Sequence, residues 1–141
     1  MRFLDANIFI YAYYKPKRTL TEKEEIRKEE AKNIITNISA GKEQVLTTVV
    51  HISEIVNILK NGLTKDLLTK TILDLFMLDN VIIRDVTKED YFAAVAIGDE
   101  LNLEPNDALA VDIMRQNGVT EIYSFDEHFF GKSDITKLPT M

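Results

Sequence analysis

Phe3-Leu4-Asp5-Ala6-Asn7-Ile8 is the stretch from which the rest of this chain is best read. An apolar strand runs here straight into a carboxylate, with no turn residue between them. Parallel sheets bind ligands outside the carboxyl ends of their strands, so an acid at that point lies on the rim where chemistry is done. A lone Asp there is more simply explained by capping of the helix that follows. The reading therefore turns on whether other acids reach the same rim.

Two further strands run into acids: Asp85 follows Val81-Ile82-Ile83-Arg84, and Asp126 follows Ile122-Tyr123-Ser124-Phe125. Short apolar runs at Arg2–Leu4, Val45–Thr48, Val81–Arg84 and Glu121–Ser124 read as strands. Between them, helical spacing appears near Thr21–Ala40, Ser53–Lys60, Lys65–Leu78, Lys88–Leu101 and Pro105–Gln116, with stops at Gly41, Asn61-Gly62 and Asn117-Gly118. That alternation predicts an α/β fold around a parallel sheet. Asp107 comes in from a helix start, Pro105-Asn106-Asp107, for which Asn106 is the expected N-cap.

Composition sets the outer bounds. The 141 residues carry no repeat and no Pro-rich or Gly/Ser-rich linker, so one domain over residues 1–141 is expected. A chain of this size buries roughly two thirds of its unfolded surface and needs no covalent staple. The absence of Cys removes disulfides, thiol nucleophiles and Cys-ligated zinc together. No apolar run approaches the roughly 18 residues of a membrane span, and Arg2, Asp5 and Asn7 interrupt any signal-like segment, so a cytoplasmic location is expected. A net charge of −6 argues against gripping nucleic acid through bulk positive charge. It still permits contact with phosphates through cations held by carboxylates.

Acids that converge on one rim repel one another and raise their own pKa values unless a cation neutralises them. With only two His and no Cys, the donors are hard oxygens, which suit Mg²⁺ or Mn²⁺ better than zinc.

At this point the residues resemble a known family, the PIN-domain ribonucleases, and most closely the VapC-type toxins of toxin–antitoxin pairs. Phe3-Leu4-Asp5-Ala6-Asn7-Ile8 resembles the family's first-strand motif, and Val49-Val50-His51-Ile52-Ser53-Glu54-Ile55 its helix-borne Glu. Asn106-Asp107-Ala108-Leu109-Ala110 resembles its central helix start, and Ser124-Phe125-Asp126-Glu127-His128-Phe129 its Thr/Ser-x-Asp-x-x-Phe motif. The ordered set spans residues 1 to about 130. The resemblance implies a three-layer fold, a short central parallel sheet flanked by helices. It implies Asp5, Glu54, Asp107 and Asp126 as the catalytic acids, with Asp5, Asp107 and Asp126 on the metal. It further implies hydrolysis of RNA by an activated water, a homodimer, and an antitoxin whose segment lies across the site. Asp85 has no counterpart in the family.

Other residues are read from their own surroundings. Asn7 and Ser124 are candidates for contact with substrate; Ser124 can donate to a ligand carboxylate or to phosphate, or serve a structural role at the strand end. Lys15, Lys17 and Arg18 form the densest basic cluster, just after Tyr11, Tyr13 and Tyr14, and are candidates for tracking RNA phosphates. A solvated loop accounts for them as well. His51 and His128 have no partner at metal-ligand spacing and read as structural, with His128 close enough to Asp126 to touch substrate. Asp112, five residues beyond Asp107, points off the site face. Leu67, Leu68, Ile72, Leu75 and Phe76 fill one side of a predicted helix and read as core-facing, the alternative being a groove for a partner.

Three other enzyme or nucleotide-binding classes fail on particular residues. Asp-x-Asp phosphatases need a second acid where Asn7 stands, and receiver domains need an acidic pair after the first strand. Dinucleotide-binding folds need a Gly-rich turn after it, yet the first glycine is Gly41. A PIN-like binding module without turnover and a housekeeping RNA-processing nuclease remain the alternatives to a toxin.

Overall fold

Every described strand of the computed structural model runs parallel to its neighbours, in the spatial order β3-β2-β1-β4-β5. The description covers residues 1–13, 17–129, 131–132 and 134–140. The strands are β1 (Arg2–Leu4), β2 (Val45–Thr48), β3 (Val81–Arg84), β4 (Glu121–Tyr123) and β5 (Thr136–Leu138). The helices are α1 (Asn7–Tyr13), α2 (Glu22–Ser39), α3 (Val49–Leu59), α4 (Lys65–Met77), α5 (Lys88–Leu101) and α6 (Pro105–Gln116).

Side chains alternate across a strand, and here the alternation separates two cores. Leu4, Val45, Val81 and Tyr123 pack with α1, α2, α3 and α4 on one face. Phe3, Leu46 and Ile122 pack with α5 and α6 on the other. The result is the expected α/β fold in three layers, helices on both faces of a short parallel sheet. No helix among the described residues is long and apolar enough to cross a membrane.

The structure corrects the sequence reading in several places. Asn7–Tyr13 is a helix, though its run of apolar residues shows no amphipathic period; Ile8, Phe9 and Ala12 are buried and Tyr11 and Tyr13 half-buried, so little of it faces water. Helix α3 begins at Val49 and not at Ser53, because Thr48 caps it directly off β2, accepting the His51 amide at 3.2 Å. The strand Thr136–Leu138 has no hydrophobic pattern to announce it; it pairs with β4 at the sheet edge. On α4 only Leu75 is buried; Leu68 and Ile72 pack partly, while Leu67 and Phe76 stand about half exposed, contrary to the core-facing reading.

Helices α5 and α6 meet closely at Gly98. A Cβ there would lie 2.7 Å from the Leu103 carbonyl oxygen and 3.3 Å from the Ala108 Cβ. Glycine is thus required at a contact that sets where α6 begins.

Candidate active site

The strand order reverses direction at β1: the chain goes from β1 to β2 and β3 on one side, then returns to lay β4 on the other. Ligands bind at such a switch point, between the carboxyl ends of the two diverging strands. Asp5 is the first residue past β1 and Ser124-Phe125-Asp126 are the first past β4.

These two ends are stitched together. The Asp5 amide donates to the Tyr123 carbonyl at 3.0 Å. Its carboxylate accepts from the Ala6 amide at 2.8 Å and from the Ser124 hydroxyl at 2.7 Å. Ser124 Oγ in turn accepts the Asp126 amide at 3.0 Å, and Asn7 Oδ1 accepts the Phe125 amide at 3.2 Å. Ser124 is fully buried, so it stands behind the carboxylates and not at the surface an RNA would touch. In the structure its hydroxyl donates to the Asp5 carboxylate.

Asp107 arrives on the first turn of α6, where a carboxylate is favoured by the helix dipole. The N-cap is Glu104, with Pro105 at the first helical position, and not Asn106 as expected. Asn106 has another task. Its Oδ1 accepts from the Tyr91 hydroxyl and its side chain hydrogen-bonds Glu54. Its backbone carbonyl lies 3.1 Å from His51 Nε2, while His51 Nδ1 lies 2.7 Å from the Thr48 hydroxyl. Burial holds His51 well below its ordinary value, at about 4, so the ring is neutral near pH 7. The network assigns the proton to Nε2, which donates to the carbonyl, while Nδ1 accepts from Thr48. His51 therefore ties the helix that carries Glu54 to the helix that carries Asp107. The spacing alone was silent on this, except that His51 and Glu54, three apart, share a helix face.

Four acids from distant parts of the chain act on one another here. Burial pushes the Asp5 carboxyl up to about 7, and the charges of Glu54 and Asp126 add to it against the pull of Ser124 and the Ala6 amide. Burial likewise lifts Asp107 to about 8, with Asp5, Asp126 and Glu54 all contributing. Glu54 is raised by burial and by Glu104, with the Asn106 hydrogen bond opposing them. Its Oε1 is buried and has no hydrogen-bond partner among the described residues. One ligand atom each of Asp107, Asp126 and His128 lie within 4.8 Å of one another, a spacing that can hold a metal ion. Asp5 lies outside that gathered set, its oxygens engaged by Ala6 and Ser124.

Arg18 grips Glu24 with two bonds of 2.8 Å, and Lys17 is exposed. Lys15 and Tyr14 fall outside the described residues. Tyr11 packs against Phe125 with ring centroids 4.8 Å apart and accepts from Arg27 at 3.0 Å, an arrangement that fills space next to the site. Asp112 accepts from Gln116 on its own helix. A cavity of about 660 Å³, lined by Ile10, Tyr13, Ile58, Leu63 and Leu67 among others, contains none of the four acids.

A family model described as "PIN domain" matches residues 2–133. Among solved structures, that of Mycobacterium tuberculosis VapC20, described as a Sarcin-Ricin loop cleaving toxin, matches with a TM-score of 0.67 at 18% identity. The match covers 89% of this chain and 90% of that one, and at this identity it speaks for the fold. No curated protein matches the chain by sequence.

Proposed function

The chain belongs to the PIN domain family, and on that premise we propose that it is a metal-dependent endoribonuclease, the toxin of a toxin–antitoxin pair. The observation that carries this reading is the set of acids Asp5, Glu54, Asp107 and Asp126: burial raises the first three, and the charges of the others in the set raise Asp5 and Asp107 further, where no folding purpose is served. A buried carboxylate oxygen of Glu54 without a partner and an all-oxygen core of donors fit a hard divalent cation, Mg²⁺ or Mn²⁺. Asp107 and Asp126 would hold it, with Asp5 and Glu54 adding charge behind them. When bound, such an ion supplies an acidified water and positive charge for the phosphoryl oxygens.

The chain's own residues supply the rest. Ser124 and the Ala6 amide fix the Asp5 carboxylate in one orientation, and the Asn7–Phe125 bond fixes the segment that carries Asp126. Water attacks phosphorus, the bond to the 3′-oxygen breaks, and the products carry 5′-phosphate and 3′-hydroxyl ends. The His pair of a metal-free ribonuclease has no counterpart here, since both ring nitrogens of His51 are engaged inside the fold.

An antitoxin partner and a homodimer belong to the same proposal. Exposed Leu73, Phe76 and Met77 on α4 support a surface that is covered in the assembled protein. VapC20 is described as cleaving the Sarcin-Ricin loop, which makes structured RNA the substrate to try first. Purified protein incubated with such RNA in Mg²⁺ or Mn²⁺ is expected to cut it internally, and mapping the ends tests the chemistry. Cleavage that persists in EDTA, or that leaves 2′,3′-cyclic ends, would remove the proposal. Binding of metal and RNA without cleavage would favour a PIN-like binding module.

A further inference from the structure

We infer that His128 is a nitrogen ligand of the acidic site and that it biases the site toward first-row transition ions such as Mn²⁺ over Mg²⁺. The inference rests on the metal-dependent reading above and sharpens it. His128 Nδ1 lies 3.1 Å from Asp126 Oδ1. Neighbouring ligands of an octahedral ion at about 2.1 Å stand about 3.0 Å apart, and opposite ones about 4.2 Å. The observed 3.1 Å matches neighbouring ligands, and Asp107, Asp126 and His128 each bring one ligand atom within 4.8 Å of the other two.

The local fold presents the ring to that place. Asp126 opens a 3₁₀ turn over Glu127–Phe129, with the His128 amide on Asp126 Oδ1 at 2.9 Å and the Phe129 amide on the Asp126 carbonyl at 3.3 Å. Phe129 is fully buried and anchors the turn, so the His128 side chain, 72% exposed, lies beside the carboxylate it neighbours in sequence. The chain's other histidine, His51, is buried with both nitrogens engaged and is not available to a metal. Mg²⁺ takes oxygen ligands and gives up its water reluctantly, whereas imidazole nitrogen adds affinity for transition ions. One nitrogen in an otherwise oxygen set therefore changes the choice of ion more than the presence of a site.

The test is Mn²⁺ and Mg²⁺ titration of the full chain by calorimetry, with pulsed EPR of the Mn²⁺ complex. The parent is expected to show the nitrogen modulation of a directly bound imidazole. His128→Ala should abolish that signal and weaken Mn²⁺ binding about tenfold, while Mg²⁺ changes by less than about threefold. His128→Asp, which restores an oxygen, should hold Mg²⁺ at least as well as the parent and show no nitrogen signal. A parent Mn²⁺ complex without nitrogen modulation would overturn the assignment, as would equal weakening of both ions in His128→Ala. Either result leaves the metal reading standing. Failure of both ions to bind the parent would overturn the two together.

Discussion

The two ends of the sheet handle carboxylates in opposite ways. At the amino end, Arg2 lies 3.4 Å from both Glu43 and Glu121 and donates to the Tyr123 hydroxyl at 2.6 Å, which donates onward to Glu43 at 2.7 Å. Each acid there faces a cation or a donor. At the carboxyl end, the charges that act most on Asp5 and Asp107 are those of other acids, and both carboxyls are lifted well above their ordinary range. The same residue type is therefore stabilising at one end and destabilising at the other. Folding selects the first arrangement. The second costs stability through charge repulsion in a partly dry setting, a cost that the cation of the proposed function would offset.

Substitution breaks the comparison most sharply when activity is the readout. Asp5→Asn and Asp107→Asn should each lower RNA cleavage by about a thousandfold or more, measured as single-turnover rates in Mn²⁺. Glu43→Gln, at the other end, should leave the rate within about twofold. If Asp5→Asn cleaved like the parent, the activity would belong to some other protein in the preparation.

Next in size is the scaffold of the acidic end. Ser124→Ala strips a donor from the buried Asp5 carboxylate and an acceptor from the Asp126 amide. A loss of about 2 kcal/mol in urea denaturation is expected, together with weaker Mn²⁺ binding. A change below about 0.5 kcal/mol would mean that the two ends of β1 and β4 are held by other contacts.

Acidity gives a third measurement, whose sign follows from the shifts. Asp5 and Asp107 ionise at about 7 and about 8 in the fold against 3.8 ordinarily, so their contribution to stability is full below 3.8 and is lost as pH rises through 7 to 8. His51, at about 4 against 6.5, has the opposite sign, and its contribution is lost as pH falls from 6.5 to 4. Between pH 6.5 and 8 the raised carboxylates act and His51 does not. In EDTA the melting temperature should fall over that window by about 5 °C, on the order of 1–2 kcal/mol, and Mn²⁺ should remove the fall. A melting temperature that rose with pH there would contradict the placement of these acids.

The smallest effect is also the most direct contrast between the ends. In EDTA at pH 8, Asp107→Asn should leave stability unchanged or higher, whereas Glu43→Gln should lower it by about 1 kcal/mol. Destabilisation of similar size by both would make Asp107 a structural residue.

Much of the fold was legible because its signals are local. Strands β1, β2 and β3 are short apolar runs, α2, α5 and α6 lie between a capping residue or Pro and a Gly or Asn stop, and α4 follows the Thr64 cap and has its C-cap at Leu78, so their bounds read within a residue or two. The elements that escaped, α1, β5 and the first turn of α3, lack a period: α1 is buried too broadly to alternate, and β5 is three residues whose pairing with β4 comes from the sheet, not from its own side chains. The acids themselves were legible as residues, Asp5 and Asp126 after strands, Asp107 at a helix start, and Glu54 through its family motif.

Their relation to one another was decided by tertiary structure. Convergence depends on β4 returning to the far side of β1, a choice of strand order that no short stretch of sequence encodes. The supporting contacts are of the same kind: Ser124 with Asp5 spans 119 residues, and His51 with Asn106 spans 55. Hydrogen bonds at that separation form only after the core has brought the strand ends together, so sequence alone determined which groups were present. Packing decided that His51 is neutral and buried, that His128 faces the acids, and that Glu54 has an oxygen left over.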